Sequence, residues 1–203
     1  MAYGNATIPP VVIAHHIILT GYGHWLPNDP RGSLSRQIRV PPLRQAGDIH
    51  FGRKAIQPAQ SELRQFQRDA RSHLKHDVLW FEIAERQAIA VGFADVIDSR
   101  GHTCLACAIL SNHAHLVIRR HRERSEDMIK ALIEASAASV RNLAGRFQNH
   151  PVWSQDKYKR FLDSAEDVCR VVKYVEDNPG KSGLPKQEYS FVKAYRGEWS
   201  DGR

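Results

Sequence analysis

Residues 11–20 are apolar and β-branched and predict a first strand with His15 and His16 embedded in it. Residues 21–60 break that pattern with Pro, Gly and Arg (GYGHWLPNDPRGSLS, then RVPPLRQAGD), too long for an ordinary connection and therefore an inserted, functional or mobile segment. Ser61 opens a polar helix to about residue 76, and apolar positions from Leu79 to Ile97 predict a second helix over residues 78–99, stopped by Gly101. Two short apolar runs, HTCLACAIL and HAHLVIRRH, flank Ser111-Asn112 and read as adjacent strands joined by a tight turn. From Ser125, the positions Ile129, Leu132, Ile133, Ala137, Val140 and Leu143 form one side of a helix closed by Gly145. A strand follows over residues 152–161. Ser164 with Asp167 then caps a last helix, which Asn178-Pro179 is expected to terminate.

The resulting order is strand, helices, two strands, helix, strand, helix. It predicts an α+β, ferredoxin-like (split βαβ) antiparallel sheet with helices on one face. A length of 203 residues is read as one domain over residues 1–203, with the inserted region at about 23–78 and a basic tail at about 181–203. No run of about 18 apolar residues occurs, and the start MAYGNATIPPVVIAHH does not look like a signal peptide, so the expectation is a cytoplasmic protein with no membrane partner. Cys104, Cys107 and Cys169 are too few for a disulfide framework, and TCLACAIL reads as a buried strand rather than half of a zinc site. Twenty-nine Lys and Arg against 22 Asp and Glu give a formal charge of +7, which favours polyanionic partners, nucleic acid first.

Chemistry concentrates at Asn112-His113-Ala114-His115. Residues two apart on a strand face the same way, so His113 and His115 present two imidazoles to one divalent cation and leave positions open for oxygen ligands. The stretch LSNHAHLVI resembles the His-hydrophobic-His strand of the HUH single-strand endonucleases, in particular the REP-associated tyrosine transposases and their single-tyrosine relatives, with Ser111 in place of the usual Pro and Ala114 in place of a bulkier residue. About 60 residues downstream, VWSQDKYKRFL and DVCRVVKYVEDNPGKSGLP resemble the same family's Trp strand and tyrosine helix, with Trp153, Tyr174, Asn178, Pro179, Gly183 and Leu184 in register. The opening strand and Tyr22-Gly-x-Trp25-Leu26-Pro27-x-Asp29-Pro30-Arg31-Gly32 extend the resemblance over most of the chain, with residues 33–78 the least anchored.

That resemblance implies an HUH-type transposase that nicks and rejoins single-stranded or hairpin DNA. Tyr174 would be the nucleophile, and His113, His115 and Asn178 would hold Mg²⁺ or Mn²⁺. A phenol with an ordinary pKa near 10 needs a cation on the scissile phosphate, and the product would be a 5′-phosphotyrosine with a free 3′-OH. Tyr158 and Tyr189 are the rival nucleophiles. Arg31, Arg119, Arg120, Arg122, Lys157, Lys159 and Arg160 are the candidate DNA contacts, and Trp25, Trp153, Tyr195 and Trp199 the candidate base-stacking rings. The family includes monomers and dimers that exchange the tyrosine helix, so a homodimer is compatible with the chain. The alternative is a domesticated DNA-binding protein of the same fold without cleavage activity. A histidine-triad hydrolase is disfavoured because Val117 stands where a third histidine would follow.

Overall fold

The structure, a computed structural model, describes residues 11–143, 148–195 and 197. Four strands, β1 (Ala14–Gly21), β2 (Cys104–Ile109), β3 (His113–Arg119) and β4 (Trp153–Leu162), form one sheet. Its order is β2-β3-β1-β4, and every neighbouring pair is antiparallel. With helices α1 (Gln60–Arg71), α2 (Ile83–Arg100), α3 (Ser125–Arg141) and α4 (Ala165–Lys181), the chain runs β1-α1-α2-β2-β3-α3-β4-α4. This is the α+β, ferredoxin-like arrangement expected from the pattern, in which α2 and α3 are the two crossovers.

One feature differs from the expected helices on a single face. Helices α2 and α3 share a core with Ile17, Leu19, Ala114, Leu116 and Ile118, on one side of the sheet. Helix α4 covers the other side, where Val168, Val171, Val172 and Val175 pack on Ala14, Ala106, Ala108, Val117 and Leu162. The reason lies in the strands: β2 and the centre of β3 are buried throughout, so their residues are apolar on both faces and need a cover on each. Cys104 and Cys107 are part of this buried strand, and desolvation pushes the Cys104 thiol up to about 12 and that of Cys107 upward too.

Boundaries differ from the sequence pattern where tertiary bonds compete. Helix α2 begins at Ile83 rather than near 78 because Leu79 N–H donates to the Tyr22 carbonyl (3.0 Å) and Phe81 N–H to that of Ser111 (2.6 Å), drawing this stretch into an extended strap. Gly101 ends α2 as expected, in the left-handed conformation (φ 68°). Helix α3 stops at Arg141; Gly145 lies outside the described residues. The Ser164 hydroxyl accepts the Asp167 N–H (3.1 Å) as the cap of α4. Asn178-Pro179 does not end that helix, which continues to Lys181. Pro179 forfeits its own N–H bond, yet the last turn closes behind it through Ser182 N–H to the Asn178 carbonyl (3.1 Å).

The inserted segment has a small core of its own, Leu26, Leu43, Phe66 and Ala70, with Ile38, Ala46 and Leu74 against it. Asn28 amide hydrogens hold the carbonyls of Leu43 (2.6 Å) and Gly47 (3.1 Å), and Gly32, at φ 91°, passes so close to Gly52 that a Cβ would stand 1.9 Å from its carbonyl oxygen. Among the described residues, no helix is long and apolar enough to cross a membrane.

Candidate active site

Strand pairing decides which side chains meet. His16 pairs with Val117 on β3 and Arg160 on β4, while Ile18 pairs with His115 and Tyr158, and Thr20 with His113. Cross-strand partners share a face. His16, His113, His115, Tyr158 and Arg160 therefore all stand on the side covered by α4.

There the imidazoles join into a chain. His113 Nδ1 lies 2.6 Å from Asn112 Oδ1, His113 Nε2 lies 3.0 Å from His115 Nε2, and His115 Nδ1 lies 3.0 Å from His16 Nε2. His16 and His115 are buried, and desolvation pushes His16 and His113 down to about 4 and His115 to about 3. The rings are neutral at pH 7, so each has one donor and one acceptor nitrogen. An amide oxygen only accepts, so His113 carries its proton on Nδ1. His115 then donates from Nε2, and His16 donates to His115 Nδ1.

Tyr174 of α4 meets this chain edge-on, with ring centroids 5.6 Å from His115 and 6.2 Å from His16. It remains 46% exposed, and the Lys181 ammonium, about two turns later on the same face of α4, lies 5.3 Å from its ring centre. Asn178, buried one turn after Tyr174, donates its amide to the Tyr174 carbonyl (3.0 Å). Tyr158, 41% exposed, touches only the far end of the chain, at 6.4 Å from His16. Tyr189 packs on Phe191, bonds Gln187, and burial pushes its phenol well upward.

A divalent ion suits the His113–His115 pair. Neutral imidazoles offer lone pairs without first losing a proton. Two nitrogens 3.0 Å apart match the edge of an octahedron with bonds of about 2.1 Å, the geometry of Mg²⁺ and Mn²⁺. His16 is the member of this cluster that the sequence left without a role: alternation puts His15 and His16 on opposite faces of β1, and the register with β3 decides which of them meets its histidines.

The cations are distributed differently from their order in the sequence. Arg119, Arg120 and Arg122 follow the histidines directly, but β3 carries them to its other end, so Arg119 stands about 13 Å from His115 along the strand. Lys157 and Lys159 point to the α2/α3 face as partners of Leu19 and Ile17. Lys159 is held there by Glu126 (2.5 Å) and Ser125 (2.7 Å). Arg160 alone of the β4 set shares the histidine face, with its guanidinium on Asp167 (3.0 Å). Arg31 is bidentate to Asp29 and stacked on Trp25 at 3.9 Å, so both are engaged within the insertion. Trp153 is core, its indole N–H on Ser136 Oγ (3.0 Å), and Tyr195 is buried under α4, so neither is an open stacking platform. Trp199 lies outside the described residues.

The chain is similar to several solved structures. A REP-associated tyrosine transposase bound to a REP hairpin is 12% identical and has a TM-score of 0.46, with 100% of this chain and 93% of that chain covered. A protein described as a transposase from Deinococcus radiodurans R1 is 13% identical with a TM-score of 0.40, covering 87% of this chain and 97% of its own. No protein-family model matches the chain, and no curated protein matches it in sequence.

Proposed function

We propose that the chain is a metal-dependent single-strand DNA endonuclease and strand transferase of the HUH type, with Tyr174 as nucleophile. The observation that carries this reading is the convergence of an exposed phenol from α4 on a pair of neutral imidazoles from β3, 5.6 Å from ring centre to ring centre. Tyr174 is half-exposed and stands beside two nitrogens spaced for one ion.

His113 and His115 would hold Mg²⁺ or Mn²⁺ through Nε2, with Asn178 as the third protein ligand. When bound, the ion polarises a phosphate and stabilises charge as it builds on the phosphoryl oxygens. For His115 to present Nε2, its proton must sit on Nδ1 and donate to His16 Nε2, 3.0 Å away, so ion binding would reverse the direction of the His16–His115 hydrogen bond. His16 would then be the positioning group that holds the tautomer of a ligand. The Tyr174 oxygen would form a bond to phosphorus as the bond to the 3′ oxygen breaks; the phenol gives up its proton and the leaving oxygen takes one up. The phosphodiester energy is kept in the phosphotyrosine, so a 3′-OH can reverse the step and join strands without ATP. Lys181 and Arg160 flank the histidine face and suit the approach of a phosphate backbone.

The test is a denaturing gel of the purified protein with Mg²⁺ or Mn²⁺ and hairpin oligonucleotides drawn from the DNA around its gene. A covalent adduct is expected from wild type and from Tyr158→Phe. It should be absent from Tyr174→Phe, from the His113→Ala, His115→Ala double variant and after EDTA. Tight hairpin binding without adduct from any variant would instead favour the binding-only protein.

A further inference from the structure

The far end of the β2–β3 hairpin from His113 holds a second group of ligating side chains. His102 follows Gly101 at the end of α2, and its side chain has 0% exposure. Its Nδ1 has no hydrogen-bond partner among the described residues, and its Nε2 stands 3.0 Å from Glu123 Oε2. The His121 ring stands edge-on to it, 4.7 Å between centres at 84°. His121 Nδ1 accepts the Glu123 N–H (3.2 Å), so Nε2 is the nitrogen of that ring left for a ligand. One ligand atom from each of the three residues lies within 4.8 Å of the other two.

A buried imidazole with an unbonded nitrogen is unfavourable, and an ion or water is the usual remedy. The donor set selects between them. Two imidazole nitrogens and one carboxylate oxygen, with a fourth position open, are a donor set that Zn²⁺ and its neighbours take. We propose that His102, His121 and Glu123 bind a zinc-class divalent cation that fastens the α2–β2 turn to the β3–α3 connection.

The backbone builds the site in advance. Cys104 pairs with Ile118, and Arg119 N–H donates to the Thr103 carbonyl (2.9 Å), so residues 102 and 121 are brought across from each other by the sheet itself. The Arg100 guanidinium sits on Glu123 Oε1 and orients the carboxylate so that Oε2 turns to His102. Arg100, with Arg122 and Arg124 in the same segments, opposes a cation, and affinity is set by that opposition against three converging ligands. The site stands about 20 Å along β3 from His113, and its occupancy is independent of the proposed cleavage chemistry.

The experiment uses the full chain with His113→Ala and His115→Ala, so that the other histidine pair contributes nothing. After EDTA treatment and dialysis, ZnCl₂ is titrated by calorimetry, and thermal unfolding is followed with and without zinc. One equivalent should bind, with a higher Tm. Adding His121→Ala or Glu123→Gln, both partly exposed and so tolerated by the fold, should weaken binding by at least about tenfold and abolish the Tm gain. Absence of zinc binding in the starting protein, or binding unchanged by both substitutions in proteins with native circular dichroism, would overturn the proposal.

Discussion

At the residue scale, the histidines of the α4 face are defined by desolvation. His16, His113 and His115 fall to about 4, 4 and 3 from an ordinary 6.5, and His15 and His24 are lowered by burial as well. An unfolded chain protonates these rings below pH 6.5 while the folded one keeps them neutral, so the unfolded state binds more protons and stability is lost as pH falls. Above 6.5 the contribution is constant. Each such histidine costs up to about 1.4 kcal/mol per pH unit below that value until its folded pKa is reached. In EDTA, the urea midpoint should drop sharply between pH 7.5 and 5, and drop less in the His113→Gln, His115→Gln variant. Equal midpoints at the two pH values would contradict the burial argument. His113 and His115 were legible in the sequence because period-two spacing is local. Their chain to His16 was not, since it depends on a contact 99 residues apart in sequence.

At the scale of elements, the close approach of α2 to α3 rests on Gly92. A Cβ there would stand 2.5 Å from Ser136 Cα, backbone that cannot rotate away, whereas Gly180 in α4 has open space around it. Alanine in a helix gains about 1 kcal/mol over glycine, and overpacking costs about 1–3 kcal/mol or more. Gly180→Ala should therefore leave Tm unchanged or raised, and Gly92→Ala should lower it by several degrees; a raised Tm in Gly92→Ala would mean that the helices slide apart at little cost. Periodicity gave α3, the hairpin and the Ser164 cap close to their observed places. It misplaced the start of α2, because the carbonyls of Tyr22 and Ser111, remote in sequence, compete for the amides of Leu79 and Phe81. It misplaced the end of α4, because the turn after Pro179 closes through Ser182 N–H to the Asn178 carbonyl despite the bond the proline forfeits.

At the scale of the molecule, the formal charge of +7 makes phosphate binding the natural long-range interaction. Affinity for a hairpin oligonucleotide should fall steeply with salt, with a log–log slope of about −0.9 per phosphate neutralised. The contributions should follow the folded position and not the sequence run. Arg160→Ala, on the histidine face, is expected to reduce adduct formation, and Lys159→Ala, committed to Glu126 on the opposite face, to change it little. The reverse ranking in a salt-matched gel assay would mean that DNA approaches from the α2/α3 side.

By itself the sequence determined the order of elements, the antiparallel α+β class, the burial of Cys104 and Cys107, and the His113–His115 and Tyr174–Asn178 pairs. Each of these follows from spacing within one strand or one helix, which the backbone period fixes locally. Only the tertiary structure decided that α4 lies on the face opposite α2 and α3, that His16 completes the imidazole chain, that Arg31 and Tyr195 are spent internally, and that His102 meets His121 and Glu123. Those outcomes depend on cross-strand register and on the competition of distant groups for the same buried space, and no window of neighbouring residues contains that information.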